Sequence, residues 1–167
     1  MSIRKLLLLL STLFLSFCIV SAQENKPRFI GEVAILNDDN TLTNIKPEFS
    51  QLTMFMVMTV KGTESALRIK QSNEIKFLVR VENTEVSPLK TITVLKLKKT
   101  KEKREVGVSS LIDEIEGSVN FLYDVYDEDF ILVTLKDLPQ GEYLIWYGAP
   151  SERNYVGSHL VATFGID

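Results

Sequence analysis

Cysteine and histidine are nearly missing from this chain of 167 residues, which has one of each. The cysteine, Cys18, lies in an apolar N-terminal stretch, so a chain that loses this stretch has neither a disulfide nor thiolate chemistry. The histidine, His159, stands alone, whereas a Ser-His-Asp triad needs a nucleophile beside the imidazole and metal sites usually recruit several ligands. We therefore expect no catalytic residue, no metal site and no bound cofactor.

Sequence motifs for nucleotides and for serine hydrolases are also missing. The chain has no P-loop, no dinucleotide-binding glycine pattern and no G-x-S-x-G sequence. It has no long amphipathic helical pattern, which disfavours a parallel βαβ fold. Its charge, 19 basic against 22 acidic residues, offers no excess of basic side chains for nucleic acid. Nucleic acid is therefore not an expected partner.

The first 22 residues form one continuous pattern. Arg4-Lys5 precedes the apolar run Leu6–Val20, and small residues follow at Ser21-Ala22. This layout predicts a secretory signal peptide that is cleaved before Gln23, because a transmembrane helix needs about 20 apolar residues. The mature chain then has 17 basic and 22 acidic residues, a net charge of −5. We expect an exported protein, periplasmic or extracellular, with no transmembrane segment in the mature chain.

A second interpretation of the same stretch makes Cys18 a lipidated N-terminus, which would anchor the protein to a membrane. Phe17 stands where a lipoprotein signal has a small residue, so cleavage before Gln23 is favoured. After residues 1–22 are removed, residues 23–28 are predicted to form a loose leader. Residues 29–167 are predicted to form a single domain, which is long enough to build its own core.

The mature sequence predicts strands separated by turns. Apolar residues at 75, 77, 79 and 81 alternate with more polar ones, which indicates a strand with one buried face. The Asn37–Asn40 turn predicts a hairpin between residues 29–36 and 41–45. Leu52–Val60 is apolar at nearly every position and predicts one buried strand, and Ser110–Gly117 predicts at most one short helix. Roughly eight or nine strands with turns about every 8–12 residues indicate an all-β, immunoglobulin-like antiparallel β-sandwich.

One short motif refines this expectation. Leu138-Pro139-Gln140-Gly141-Glu142-Tyr143 is an L-x-x-G-x-Y pattern. It resembles the tyrosine corner of Greek-key sandwiches, in which a tyrosine hydroxyl donates a hydrogen bond to backbone a few residues upstream. The resemblance implies that Tyr143 is the corner tyrosine. The alternative is an ordinary Pro-Gly turn before an aromatic strand.

The whole mature chain resembles a loosely defined set of small exported bacterial β-sandwich proteins of unassigned function. The motifs that carry this resemblance are the Ser-Ala-Gln signal end, Val60–Ile69, Phe77–Val81, Leu138–Tyr143 and Phe164–Asp167. These motifs are structural in character. The resemblance implies a location in the cell envelope or outside the cell and implies no activity.

Aromatic residues late in the chain are candidates for ligand binding. Trp146 is three residues from Tyr143, so the two lie on opposite faces of a strand. If Tyr143 faces the core, Trp146 points outward, and an exposed Trp146 with Tyr147 and Tyr155 would suit a carbohydrate or protein ligand. The alternative is a Trp146 covered by a neighbouring loop.

Lysines in the stretch Lys96–Arg104 are the second candidate. Lys99, Lys101 and Lys103 would project from a hairpin and could bind an anionic glycan, lipid phosphates or a partner's acidic patch. The alternative is an edge hairpin that lysines protect against strand addition. The sequence thus favours a non-enzymatic binding or structural module of the bacterial cell envelope, with envelope glycan or protein as partner. A carbohydrate-binding module that uses exposed aromatics and a small hydrolase that uses acidic residues remain alternatives.

Overall fold

The computed structural model describes residues 25–108, 117–148 and 156–167. The predicted signal peptide with Cys18, the aromatic candidate Tyr155 and residues 110–116 of the predicted helix lie outside these ranges. Within them the chain is built from strands and one short helix, which confirms the all-β prediction.

Twelve strands form where roughly eight or nine were expected from turn spacing. The described helix, α1 (Pro88–Thr91), is a single turn and lies outside the segment predicted to be helical. The strands are β1 (Val33–Leu36), β2 (Leu42–Asn44), β3 (Glu48–Leu52), β4 (Val57–Lys61), β5 (Arg68–Ile69), β6 (Glu74–Arg80), β7 (Ile92–Lys99), β8 (Lys103–Gly107), β9 (Leu122–Asp127), β10 (Phe130–Lys136), β11 (Gly141–Tyr147) and β12 (Gly157–Ile166).

The first sheet has five antiparallel strands in the order β2-β1-β6-β10-β9. Its central strand β6 carries the clearest period-two pattern, and Ile75, Phe77 and Val79 are buried as that pattern predicts. Leu78 on the opposite face is buried as well, so burial is not confined to the one face that the pattern predicts. The predicted hairpin of β1 and β2 is confirmed. Asn40 closes its turn with a φ of 62°, a left-handed conformation that asparagine tolerates better than most residues.

The second sheet closes on itself. Six of its strands follow the order β11-β7-β8-β4-β3-β12, and β12 returns to β11. The long strand β12 makes this closure, because residues 157–161 pair with β3 and residues 162–166 pair with β11. The short strand β5 adds to β12 in parallel. Two sheets are therefore present, but one of them is a closed ring rather than an open layer.

Closure creates two separate apolar cores. One lies between the first sheet and the ring, and the other lies inside the ring. Strand β11 contributes to both, with Tyr143 and Ile145 in the first core and Leu144 and Trp146 in the second. The predicted opposite faces of Tyr143 and Trp146 are thus confirmed. The exposed alternative for Trp146 is wrong, because both faces of a strand in the ring are covered and its side chain is 3% exposed.

The apolar segment 52–60 does not form the single strand that its composition predicts. It turns back on itself, because β3 ends at Leu52 and β4 begins at Val57. Met54 and Phe55 are exposed at the turn, and Met56 takes a φ of 56°. This position usually holds glycine or asparagine, so a methionine there carries no turn signal.

The hydrogen bond expected of the tyrosine corner is present. The Tyr143 hydroxyl donates to the carbonyl oxygen of Pro139 at 2.6 Å. The ring of Tyr143 stacks on Phe164 with 5.3 Å between ring centroids. Tyr143 therefore links the turn before β11 to the core between the sheet and the ring.

We predict that Tyr143→Phe lowers the free energy of unfolding by about 1–2 kcal/mol, because the change removes the part-buried hydrogen bond from the Tyr143 hydroxyl to the Pro139 carbonyl. Chemical denaturation measures the difference. Tyr126→Phe is the matched control, since Tyr126 is exposed on β9 and should give no measurable change. Equal stability of the Tyr143 variant and the unmodified protein would show that the corner hydrogen bond contributes nothing.

Candidate functional site

The interior of the ring is apolar at one end and charged at the other. Leu52, Met58 and Trp146 are buried at the apolar end. At the opposite end, β11 begins and β12 ends. The charged side chains that are fully buried there are Arg104 and Glu142. We call this pair, together with the surrounding residues Glu48, Ser65, Arg68 and Asp167, the charged cluster. Because it combines buried charges of both signs, it is a candidate active site.

Glu142 is held by several donors at once. The backbone N–H and the hydroxyl of Ser65 donate to one carboxylate oxygen at 2.8 Å and 2.6 Å. The other oxygen accepts a hydrogen bond from Arg68, and the Lys99 Nζ lies 3.6 Å from it. The Arg68 guanidinium lies across Gly165, where any Cβ would overlap it. The carboxylate is therefore saturated by protein groups.

Arg104 is enclosed in the same way. Its guanidinium donates to the Ser65 hydroxyl at 2.6 Å, to Glu48 at 2.8 Å and to the carbonyl oxygens of Gly62 and Lys61 at 3.1 and 3.2 Å. Among the described residues, every buried side-chain nitrogen and oxygen has a hydrogen-bond partner. The buried polar atoms of the charged cluster are therefore engaged within the protein, which favours a structural role at this end of the ring.

The protonation of Glu142 supports this structural role. Burial raises the pKa of Glu142, but the hydrogen bonds from Ser65 and Arg68 outweigh burial and hold the pKa below its ordinary value. The hydrogen bond from Arg68 lowers the pKa of Asp167 as well. Both carboxyl groups stay ionised near neutral pH. Neither is suited to donate a proton in hydrolysis, since a general acid needs a raised pKa.

The three candidate lysines lie at the charged end of the ring. Lys99 pairs with Glu64 at 3.1 Å, and Lys103 pairs with Glu105 at 2.8 Å. Lys101 is exposed at the turn between β7 and β8. The alternative of a protected edge hairpin is wrong, because β7 also pairs with β11 and β8 also pairs with β4, so neither is an edge strand.

A groove of about 660 Å³ runs between the start of β1 and the outer face of the ring. Its rim presents large apolar side chains to solvent. Phe49 of β3 and Leu160 of β12 are direct cross-strand partners and are 73% and 58% exposed. Phe29 and Ile30, which precede β1, are 69% and 55% exposed. We call this surface the apolar groove.

Two of the aromatic candidates line the apolar groove together. Trp146 is buried beneath it, with its ring edge-on to His159 at 5.2 Å between centroids. Tyr147 is half-buried, packs near Gly31, and its hydroxyl accepts a hydrogen bond from the Glu82 N–H at 3.0 Å. Trp146 and Tyr147 thus line the same groove, and of the two alternatives for Trp146 the exposed one does not hold. The third candidate, Tyr155, lies outside the described residues.

The polar groups of the apolar groove are engaged within the protein. The Glu32 carboxylate accepts hydrogen bonds from the N–H groups of Arg28 and Phe29 at 2.7 and 3.1 Å. The Ser158 hydroxyl donates to the Gln51 side chain at 3.1 Å. The groove surface is mainly apolar, which suits contacts formed through desolvation.

The acidic turn between β9 and β10 is tied to neighbouring cations. Asp127 pairs with Lys26 at 3.0 Å, and Asp129 pairs with Arg80 at 3.3 Å. In residues 25–108, 117–148 and 156–167, no group of three or more His, Cys, Asp or Glu side chains is placed to hold a metal ion. None of the helices in those ranges is long and apolar enough to cross a membrane.

Sequence reasoning missed the buried pair of the charged cluster and most of the apolar side chains of the groove. Arg104 and Glu142 had a usable signal, because each is in phase with buried apolar residues two and four positions further on. Phe29, Phe49 and Leu160 had none, since they come from three segments that only the fold brings together.

We predict that Glu142→Gln lowers the free energy of unfolding by about 2–4 kcal/mol at neutral pH, because it removes the buried negative charge that faces Arg104 and Arg68 and leaves Glu48 as the remaining carboxylate partner of Arg104. The pKa of Glu142 is lower in the folded protein than in the unfolded chain. The ionised group therefore stabilises the fold above the ordinary glutamate pKa, and this contribution is lost as pH falls through the folded value. The difference between variant and unmodified protein should shrink in acid.

Glu74→Gln is the control for this measurement, because Glu74 pairs with Lys76 on the surface and should leave the unfolding midpoint unchanged. If the two variants unfold alike across the pH range, the charged cluster does not stabilise the ring.

Comparison of the chain with protein-family models, with curated proteins and with solved structures finds no match. The resemblance to small exported bacterial β-sandwich proteins therefore remains a prediction from sequence motifs.

Proposed function

We propose that the protein is an exported, non-enzymatic binding module of the bacterial cell envelope that docks an apolar segment of a partner protein in the apolar groove. The observation that carries the proposal is the exposure of four large apolar side chains along one groove, Phe29, Ile30, Phe49 and Leu160. Contiguous apolar surface on a folded domain is typical of protein interaction sites.

Burial of these side chains would supply the binding energy. Each large apolar side chain contributes about 1.5–3 kcal/mol when it is moved fully from water to an apolar contact. Several such contacts are needed, because association costs about 4–15 kcal/mol in lost freedom of motion. The apolar groove provides four exposed side chains on strands and on a segment fixed to them, which favours a preformed site.

Carbohydrate is the second candidate, and the groove favours it less. Sugar recognition combines an exposed aromatic face with available polar groups. Trp146 is buried, while the Tyr147 hydroxyl, Glu32 and Ser158 are engaged within the protein. The hydrolase alternative has less support, because a general acid needs a raised pKa. The acidic side chains whose pKa is shifted all have a lowered pKa, and they are Asp39, Glu74, Asp127, Glu142 and Asp167.

We also propose that the fold is related to immunoglobulin-like Greek-key sandwiches. The hydrogen bond from Tyr143 to Pro139 and the packing of the first sheet on the ring support this relation. The closure of the second sheet through β12 is a departure from the two open sheets of that fold.

Export is tested by the mass of the protein from its native host. We expect the N-terminus at Gln23 and no lipid, because residues 1–22 have the pattern of a cleaved signal peptide. A lipid-modified Cys18 at the N-terminus would overturn this proposal and place the module on a membrane.

The docking proposal is tested with a neutral peptide, acetyl-Gly-Leu-Ser-Phe-Ser-Leu-Gly-amide. Trp146 is the only tryptophan and lines the groove, so its fluorescence reports occupancy. We expect the double variant Phe49→Ser, Leu160→Ser to weaken binding about tenfold or more, which corresponds to the loss of about 1.4 kcal/mol of apolar contact.

The matched control is Met54→Ser, Phe55→Ser, which removes equally exposed apolar side chains from the turn between β3 and β4. Equal binding by both double variants would overturn the assignment to the groove. A fluorescence response to soluble glycans with none to the peptide would favour the carbohydrate alternative.

A further inference from the structure

Strand β9 is exposed along its entire length. All six of its residues, Leu122–Asp127, are exposed, including Leu122, Tyr123, Val125 and Tyr126. Among the strands that the structure describes, it forms one edge of the first sheet and pairs with β10 alone. A strand with exposed large side chains on both faces projects beyond the core that its sheet covers.

The outer edge of such a strand is a template for another strand. No strand among the described residues pairs with the outward backbone N–H and C=O groups of β9. Proteins usually block such edges with short strands, lysine or proline. The opposite edge of the same sheet, β2, has three residues. Strand β9 has six residues and neither lysine nor proline among them. Its pairing with β10 is regular from Leu122 to Val125 and becomes irregular at Tyr126.

The surroundings of β9 are acidic. Asp124 and Asp127 lie on the strand, and Glu128 and Asp129 follow in the turn. Two cations compensate part of this charge, because Lys26 pairs with Asp127 and Arg80 pairs with Asp129. The edge keeps an excess of negative charge. A second β9 would bring the same carboxylates together, and like charges that face each other across strands are destabilising.

We propose that β9 is a strand-addition site for an extended polypeptide segment in which lysine or arginine alternates with aliphatic or aromatic residues. Backbone hydrogen bonds to the outer edge of β9 supply the pairing, and the basic side chains meet Asp124 and the acidic turn. The apolar residues of the segment cover Tyr123 and Val125. This site is independent of the apolar groove, which lies beside the β1–β2 side of the sheet.

The test uses the whole mature chain and three peptides with blocked ends. The first is Lys-Val-Lys-Val-Lys-Val-Lys, and the second replaces its central valine with proline, which keeps the charge and prevents strand pairing. The third replaces every lysine with glutamate. We expect the first to bind about tenfold tighter than either of the others and to slow amide hydrogen exchange at residues 122–125.

Protein variants locate the site. Asp124→Lys should weaken binding of the first peptide about fivefold or more, and Asp124→Asn should weaken it less. Thr43→Lys is the matched control, because it places the same charge on β2 at the opposite edge of the sheet and should leave binding unchanged. Circular dichroism verifies that each variant is folded.

Three outcomes would overturn the proposal. Equal binding of the proline peptide would mean that charge alone is recognised. Slowed exchange outside β9 would place the site elsewhere. Protection of the β9 amides without peptide that increases with protein concentration would mean that a second copy of the chain covers the edge.

Discussion

The pairing of β12 with two partners governs the architecture. Its first half pairs with β3 and its second half with β11, so the second sheet becomes a ring with an interior of its own. Because of this closure, both faces of β11 are buried, and Tyr143 and Trp146 lie in different cores. The same closure turns the outward faces of β3 and β12 into the wall on which Phe49 and Leu160 stand.

A ring of six strands has two open ends, and the charged cluster closes one of them. Arg104 of β8 and Glu142 of β11 meet through Ser65, while Arg68 of β5 joins Glu142 to Asp167. A buried ion pair contributes little net stability compared with apolar packing of the same volume, but removal of one partner is costly. The cluster therefore acts mainly on register, because its hydrogen bonds are satisfied only when these strands are correctly aligned.

The features predicted correctly from the sequence came from period-two alternation and from the L-x-x-G-x-Y motif. They indicated the all-β class, the buried face of β6 and the hydrogen bond of Tyr143. Ring closure was not predictable, because it depends on which strands β12 pairs with and no local pattern encodes that choice. The hairpin at Met54 and Phe55 was missed for a local reason, since its turn places Met56 in a conformation normally held by glycine or asparagine. The apolar groove joins segments far apart in sequence, and only its Trp146-Tyr147 wall was visible as a candidate.

The charged side chains that the fold buries and the apolar side chains that it leaves exposed lie in different parts of the domain. The fold buries Arg104 and Glu142 with hydrogen-bond partners for every buried side-chain nitrogen and oxygen, which offsets the cost of internal charge. It leaves Phe49, Leu160 and the apolar side chains of β9 in water, although their burial would stabilise an isolated domain. These exposed residues lie on two separate surfaces, the groove beside β1 and the edge strand on the far side of the first sheet. One surface offers side-chain contacts and the other offers backbone hydrogen bonds, so a single small domain could hold two segments of one partner, or two partners, without competition between them.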